Sequence, residues 1–159
     1  MIIIADSSPL ISLAIIDMLE LLEYYFDDVY VPYAVYKEVS VYDKPFSEKL
    51  KRYLENKVLT VENIHMVSVL NERIDLGEAE AITLAFEKKA DFIILDDSKA
   101  RKTAKRNGLT VIGTLGLLLE AKKEGKIKKL KEAIQVFSDN DIRLSEKLIK
   151  DILIEAGEI

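Results

Sequence analysis

Three carboxylates stand where a short apolar run gives way to polar sequence. Asp6 follows Ile2-Ile3-Ile4-Ala5, and Asp96-Asp97 follow Phe92-Ile93-Ile94-Leu95. Both runs have the make-up of strands buried on two faces. In open α/β sheets, ligands bind outside the carboxyl ends of the strands, at the switch point of strand order. If these two strands are neighbours there, the three acids share one rim. An Asp after a strand is also a common helix N-cap, and one of the Asp96–Asp97 pair can serve that way. Two further acids reach the same end by helical geometry. Residues 78, 81, 82, 85 and 86 are Glu, Ala, Ile, Ala and Phe, the stripe that packs a helix on a sheet. Glu78 is the one charge on that stripe, while Glu80 lies about 200° around and is expected in solvent. Asp75 with Glu78 also has the spacing of a capping box, so cap and functional acid both stand for Glu78. Glu38 shares a helix face with Ala34 and Val35, on a helix that starts at Pro32 just beyond the second strand. Its alternative is a solvated patch with Lys37.

Taken together, the positions imply a counter-charge. Two carboxylates about 5 Å apart repel by about 3 kcal/mol at an effective dielectric of about 20. Four at one rim destabilise a fold unless a cation sits among them or some are protonated. A hard divalent ion meets that need. Mg²⁺ keeps several waters and takes one or two carboxylates plus a substrate phosphate, which is the chemistry of metal-assisted phosphodiester hydrolysis. Near the acids, Lys99 and Arg101 are the cations best placed for a phosphate backbone. Lys102, Lys105 and Arg106 read as solvated helix surface. Thr114 reads as the cap of the helix after the fifth strand, where it can face the rim.

The elements that must position these residues alternate along the chain. Strands are expected at 2–5, 29–31, 58–61, 92–95 and 109–112. Helices are expected from Ser7 to about Tyr25, Pro32 to Val39, Pro45 to Leu54, Leu76 to Lys89 and Ser98 to Asn107. Three more follow, over about 114–123, 127–137 and 144–155. Such alternation means a parallel sheet with helices on both faces. The alternation and the acid placement together predict a three-layer α/β sandwich in one domain, 1–159, with strand order 3-2-1-4-5.

Composition removes whole classes. The 159 residues contain no Cys and one His, His65, so disulfides, zinc ribbons and thiol catalysis fall away. Apolar runs are too short for a membrane span. Met1 leads straight into Ile2 without a basic n-region, so a cytoplasmic protein without a signal peptide is expected. A net charge of −5 argues against a generic nucleic-acid-coating protein but allows acids concentrated in one site. There is no Gly-Lys-Ser/Thr of a P-loop and no Gly-x-Gly-x-x-Gly dinucleotide loop. An aspartyl phosphatase wants Asp two residues after Asp6, where Ser8 stands. A receiver domain has no use for an inward Glu78.

The residues resemble the PIN-domain family, in the branch of compact prokaryotic proteins related to VapC-type toxins. The likeness runs through Ile4-Ala5-Asp6-Ser7-Ser8-Pro9-Leu10-Ile11, Val31-Pro32 leading to Glu38-Val39, and Leu76-Gly77-Glu78-Ala79-Glu80-Ala81-Ile82. Ile94-Leu95-Asp96-Asp97-Ser98-Lys99-Ala100-Arg101 and Gly113-Thr114-Leu115-Gly116 complete the order. It implies a Mg²⁺- or Mn²⁺-dependent single-strand ribonuclease, the toxin of a toxin–antitoxin pair, with RNA and an antitoxin as partners and a homodimer as assembly. The family's acids carry onto Asp6, Glu38, Glu78 and Asp97 as the catalytic set, with Asp96 beside Asp6, Glu78 and Asp97 among the metal-holding ones. Glu at position 78 is a longer side chain than the family's usual Asp. Ser8 matches a hydroxyl position beside the first acid. A PIN-like module that binds RNA or protein without cutting is the alternative, and the complete set of acids argues against it.

Overall fold

A computed structural model describes residues 1–41 and 43–159. Five strands, β1 (Ile2–Ala5), β2 (Asp28–Pro32), β3 (Val58–Leu59), β4 (Phe92–Ile94) and β5 (Val111–Ile112), form one sheet in the order β3-β2-β1-β4-β5. Every pairing is parallel. Ten helices surround it among the described residues: α1 (Ser7–Ile15), α2 (Glu20–Tyr25), α3 (Tyr33–Val39), α4 (Ser47–Tyr53), α5 (Ile64–Asn71), α6 (Leu76–Glu87), α7 (Ser98–Arg106), α8 (Thr114–Lys123), α9 (Leu130–Asp139) and α10 (Glu146–Glu155).

The sheet is covered on both faces because β1 and β4 are apolar at every position. Side chains alternate across a strand. Ile3, Ala5 and Ile94 therefore join a core with α1–α4 and α8–α10, while Ile4, Ile93 and Leu95 join a second core with α5, α6 and α7. The α/β sandwich and the strand order expected from the sequence are both present.

Local differences have identifiable causes. The stretch expected as one helix from Ser7 to Tyr25 is two, because Asp17 takes a left-handed φ of 56° and Met18 N–H returns to the Leu13 carbonyl. Helix α5 fills a stretch to which the sequence reading assigned nothing. It is capped by Asn63, which accepts from Met66 N–H at 3.0 Å, and of its residues only Val67 is buried. Phe86, expected on the inward stripe of α6, is 56% exposed. Thr114 is the first residue of α8 rather than its cap, which is Gly113. Strands β3 and β5 are two residues each, shorter than expected. Among the described residues no helix is long and apolar enough to cross a membrane.

Candidate functional site

Sheet register brings the acids to one edge. Ala5 is paired with Ile94, and the next amide, Asp6 N–H, donates to the Ile94 carbonyl at 3.3 Å. Asp6 thus emerges between β4, which continues into Asp96-Asp97, and β2, which turns at Pro32 into α3. Pro32 has the extended backbone of an N-cap, with φ −75° and ψ 161°. Its fixed φ starts α3 at once, and the last turn of that helix carries Glu38.

Asp6 is 5% exposed and sits at the N-cap position of α1, yet its carboxylate makes no capping hydrogen bond to the helix. Burial pushes the carboxyl up from its ordinary 3.8 to about 7. The Ser7 backbone N–H pulls the other way, and the negative charges of Asp75, Glu38 and Asp96 raise it further.

Glu78 is 7% exposed and belongs to a capping box. Its amide donates to Asp75 Oδ1 at 2.8 Å, and Asp75 N–H donates to Glu78 Oε1 at 3.4 Å. The second oxygen, Oε2, is buried with no partner. An orphaned carboxylate oxygen is costly, and here burial, the contact with Asp75 and the charges of Asp75, Asp6 and Asp97 push the carboxyl from 4.5 up to about 8. No cation stands among the chief influences on either acid.

The other acids are exposed but held. Ser7 Oγ donates to Glu38 Oε2 at 2.7 Å. Gly77 lets α6 approach there, since a Cβ at that position meets Glu38 Oε2 at 3.2 Å and Asp75 Oδ1 at 3.5 Å. Asp97 is the N-cap of α7 and takes Ala100 N–H on Oδ2 at 2.9 Å. Pairing of Ile94 with Ile112 places Asp96 opposite Thr114, which gives it both its N–H, to Oδ1 at 2.8 Å, and its hydroxyl, to Oδ2 at 2.6 Å. Both members of the Asp96–Asp97 pair are therefore helix-end acceptors, of two different helices.

Arg101 donates to the Leu95 carbonyl at 2.8 Å and lies beside Asp96. A Cβ on Gly113 meets its guanidinium at 2.9 Å and Asp96 Oδ1 at 3.4 Å. Ser8, Arg101 and Thr114 line a cavity of about 800 Å³ together with Asp96 and Asp97. Asp6, Glu38 and Glu78 do not line it; they lie beside it, around α3 and α6. Lys99 is exposed on the first turn of α7, outside the residues lining the cavity.

Two residues at the site escaped the sequence reading. Ser7, which had no assigned role, holds Glu38. Asp75, read only as a partner for the Glu78 cap, is among the charges acting on both buried acids. Glu80, expected in solvent, instead accepts Ala34 N–H at 3.0 Å, which ties α6 to the start of α3. His65 is exposed.

Among the described residues, no three His, Asp or Glu side chains stand together as a ready-made metal cage. The donor set nevertheless fits a hard ion that takes one or two carboxylates and keeps its waters. Asp6 is buried and uncapped, and the Glu78 oxygen is buried and unpartnered. Both are oxygen donors that gain from a positive neighbour.

Comparison with known proteins agrees with this geometry. No curated protein and no solved structure matches the chain. A family model described as DUF3368, a PIN domain, matches residues 2–158. With that match over nearly its whole length and a parallel sheet that gathers acids at its carboxyl end, the chain belongs to the PIN-domain family, which has a nuclease-type fold.

Proposed function

We propose that the chain is a divalent-metal-dependent single-strand endoribonuclease and acts as the toxin of a toxin–antitoxin pair. The observation that carries the nuclease reading is the pair of buried acids, Asp6 without a cap and Glu78 with an orphaned oxygen, at the carboxyl end of the central strands. Such a pair raises the energy of the folded chain, which a purely structural role does not explain. The toxin role and the antitoxin and homodimer partners rest on the resemblance to VapC-type proteins.

Asp6, Glu78 and Asp97 are the residues proposed to hold Mg²⁺ or Mn²⁺, with Glu38 completing the catalytic set. Asp97 is preferred over Asp96 as the fourth acid. Asp97 leaves Oδ1 without a protein partner, whereas Asp96 has given both oxygens to Thr114. A bound ion supplies a polarised phosphoryl oxygen and a water of lowered pKa. The chain's own groups do the rest. Without an ion Asp6 and Glu78 keep their protons to about pH 7 and about pH 8; holding one would ionise them. Ser7 fixes Glu38 so that its carboxylate stays over the sheet end. Arg101, anchored on the Leu95 carbonyl, is the cation set to meet a phosphate beside Asp96, with Ser8 and Thr114 on the same wall and Lys99 farther out on α7.

The test is cleavage of a panel of short single-stranded RNA and DNA by the purified chain with Mg²⁺, Mn²⁺ or chelator. Metal-dependent cutting of RNA, lost in Asp6→Asn, is the expected result. Binding without cutting under every metal condition selects the silent PIN-like module instead.

A further inference from the structure

We propose that the 800 Å³ cavity is a nucleoside subsite, which takes one base and its sugar from the strand whose neighbouring phosphate lies at the acids. This rests on the single-strand nuclease reading and extends it to how the strand is gripped.

Location is the first argument. Asp96 and Asp97 form part of the cavity wall, so the cavity is continuous with the acid rim. A strand crossing the rim has a base within reach of it.

Size and chemistry are the second. The volume falls within the roughly 300–1,000 Å³ of small-molecule sites. Apolar surface comes from Ile11, Phe137, Ile142, Leu148 and Ile152. They belong to or flank α1, α9 and α10, so the floor is built from three helices and is not an accident of one loop. Hydrogen-bonding groups line it as well: Ser8, Thr114 and the carboxylates of Asp97 and Asp141. A nucleobase offers both kinds of surface, apolar faces and a polar edge.

Charge is the third. Two arginines, Arg101 and Arg143, also line the cavity. Arg143 is exposed and has no hydrogen bond or ion pair among the described residues. Arg143 lies on the loop between α9 and α10, not on the elements that carry Asp96 and Asp97, and is placed to meet a neighbouring phosphate of the strand.

The experiment measures binding of a fluorescein-labelled single-stranded RNA to the uncut-substrate variant Asp6→Asn, alone and combined with Leu148→Trp or Arg143→Ala. Leu148 is 45% exposed, so Trp there narrows the cavity from its wall without entering the core. Arg143→Ala, on an exposed loop residue, is the second variant in case the first disturbs packing. Each is expected to weaken binding about tenfold, within the range for losing one well-held base. A strand with a single abasic position should lose a similar amount at one position only, and lose nothing more in Leu148→Trp. Undiminished affinity in both variants overturns the proposal. So does a change of oligomeric state in Leu148→Trp with RNA affinity intact, which assigns the cavity to a second copy of the chain. If the chain with Asp6 restored cuts RNA, and Leu148→Trp and Arg143→Ala cut it with unchanged KM, the subsite falls and the nuclease stands. If the restored chain cuts neither RNA nor DNA with either metal, the nuclease reading falls and takes the subsite with it.

Discussion

Stability should fall as pH rises, and Asp6 should be a main reason. Burial holds its carboxyl at about 7 in the folded chain against an ordinary 3.8. Below about pH 4 both folded and unfolded chains carry the proton, and the group contributes no difference. Between about 4 and about 7 the unfolded chain releases the proton and the folded chain keeps it, so folding stability declines with pH. Above about 7 both are ionised and the loss is complete. From 3.8 to about 7, at 1.36 kcal/mol per pH unit, the decline amounts to about 4 kcal/mol as an order of magnitude. Glu78 acts in the same direction, with its carboxyl pushed from 4.5 to about 8, and carries the decline past neutrality. For a chain of this size, about 4 kcal/mol corresponds to roughly 10 °C in Tm. Thermal unfolding in chelator across this pH range measures it. Asp6→Asn should remove about half of the slope, leaving the share of Glu78, and raise Tm on the alkaline side, because a neutral amide needs no proton. Excess Mg²⁺ should raise the Tm of the parent chain at alkaline pH by mass action and do much less for Asp6→Asn. The control is Glu132→Gln, on an exposed residue of α9, which should leave the pH profile and the Mg²⁺ response of the parent. An Asp6→Asn chain with the parent's slope refutes the claim that Asp6 is strained by burial. An equal Mg²⁺ response in both refutes the claim that Asp6 helps hold the ion.

Further predictions test single contacts. Gly77→Ala puts a methyl 3.2 Å from Glu38 Oε2 in a helix that gains up to about 1 kcal/mol from the exchange. Cleavage should drop while Tm holds or rises, and full activity in this variant removes Glu38 from the mechanism. Asp97→Asn should lose cleavage without losing stability, since Asn caps about as well as Asp, whereas Asp97→Ala should lose both, with about 1 kcal/mol for the missing cap; differential unfolding and cleavage of the two separate the roles. Thr114→Val removes the hydroxyl from Asp96 Oδ2 but keeps the backbone bond to Oδ1. It should cost about 1 kcal/mol and retain more activity than Asp97→Asn; the reverse order makes Asp96 the fourth acid.

The fold was legible because β1 and β4 are unambiguous. Each is a short apolar run ending in acid, and the length of the connections between strands leaves room only for helical crossovers. The break in the first helix was not legible, because Asp17 carries no Gly or Pro signal and takes its left-handed φ from the way Met18 turns back to Leu13. Helix α5 was missed for a related reason. Its apolar residues include Ile64 and Val69, which are exposed, so no stripe announces an inner face; the Asn63 cap was the one available signal. At the site, position alone pointed to Asp6, the Asp96–Asp97 pair, Glu38 and Glu78, with cap or solvent alternatives left open; the choice of Asp97 came from the resemblance. Ser7 could not be separated from Ser8, because adjacent helical residues differ by about 100° and only the docking of α3 decides which meets Glu38. The bond from Ala34 N–H to Glu80 spans 46 residues, and nothing local in the sequence encodes it.

The cap reading and the acid reading, which compete in the sequence, turn out to be one arrangement. A carboxylate has two oxygens, and a cap needs one. Glu78 uses Oε1 in its capping box and leaves Oε2 buried; Asp97 uses Oδ2 for Ala100 N–H and leaves Oδ1; Glu38 takes the Ser7 hydroxyl on Oε2. In each case the bond fixes the rotamer, so the remaining oxygen is held in place before anything binds. That matters because a hard ion with few protein ligands gains affinity when those ligands lose no rotamer freedom on binding. Asp6 is the exception, uncapped and buried; it stays protonated up to about pH 7, as Glu78 does up to about pH 8. An edge built this way stays folded without metal by keeping protons on its two buried acids, and gives them up for an ion when one arrives.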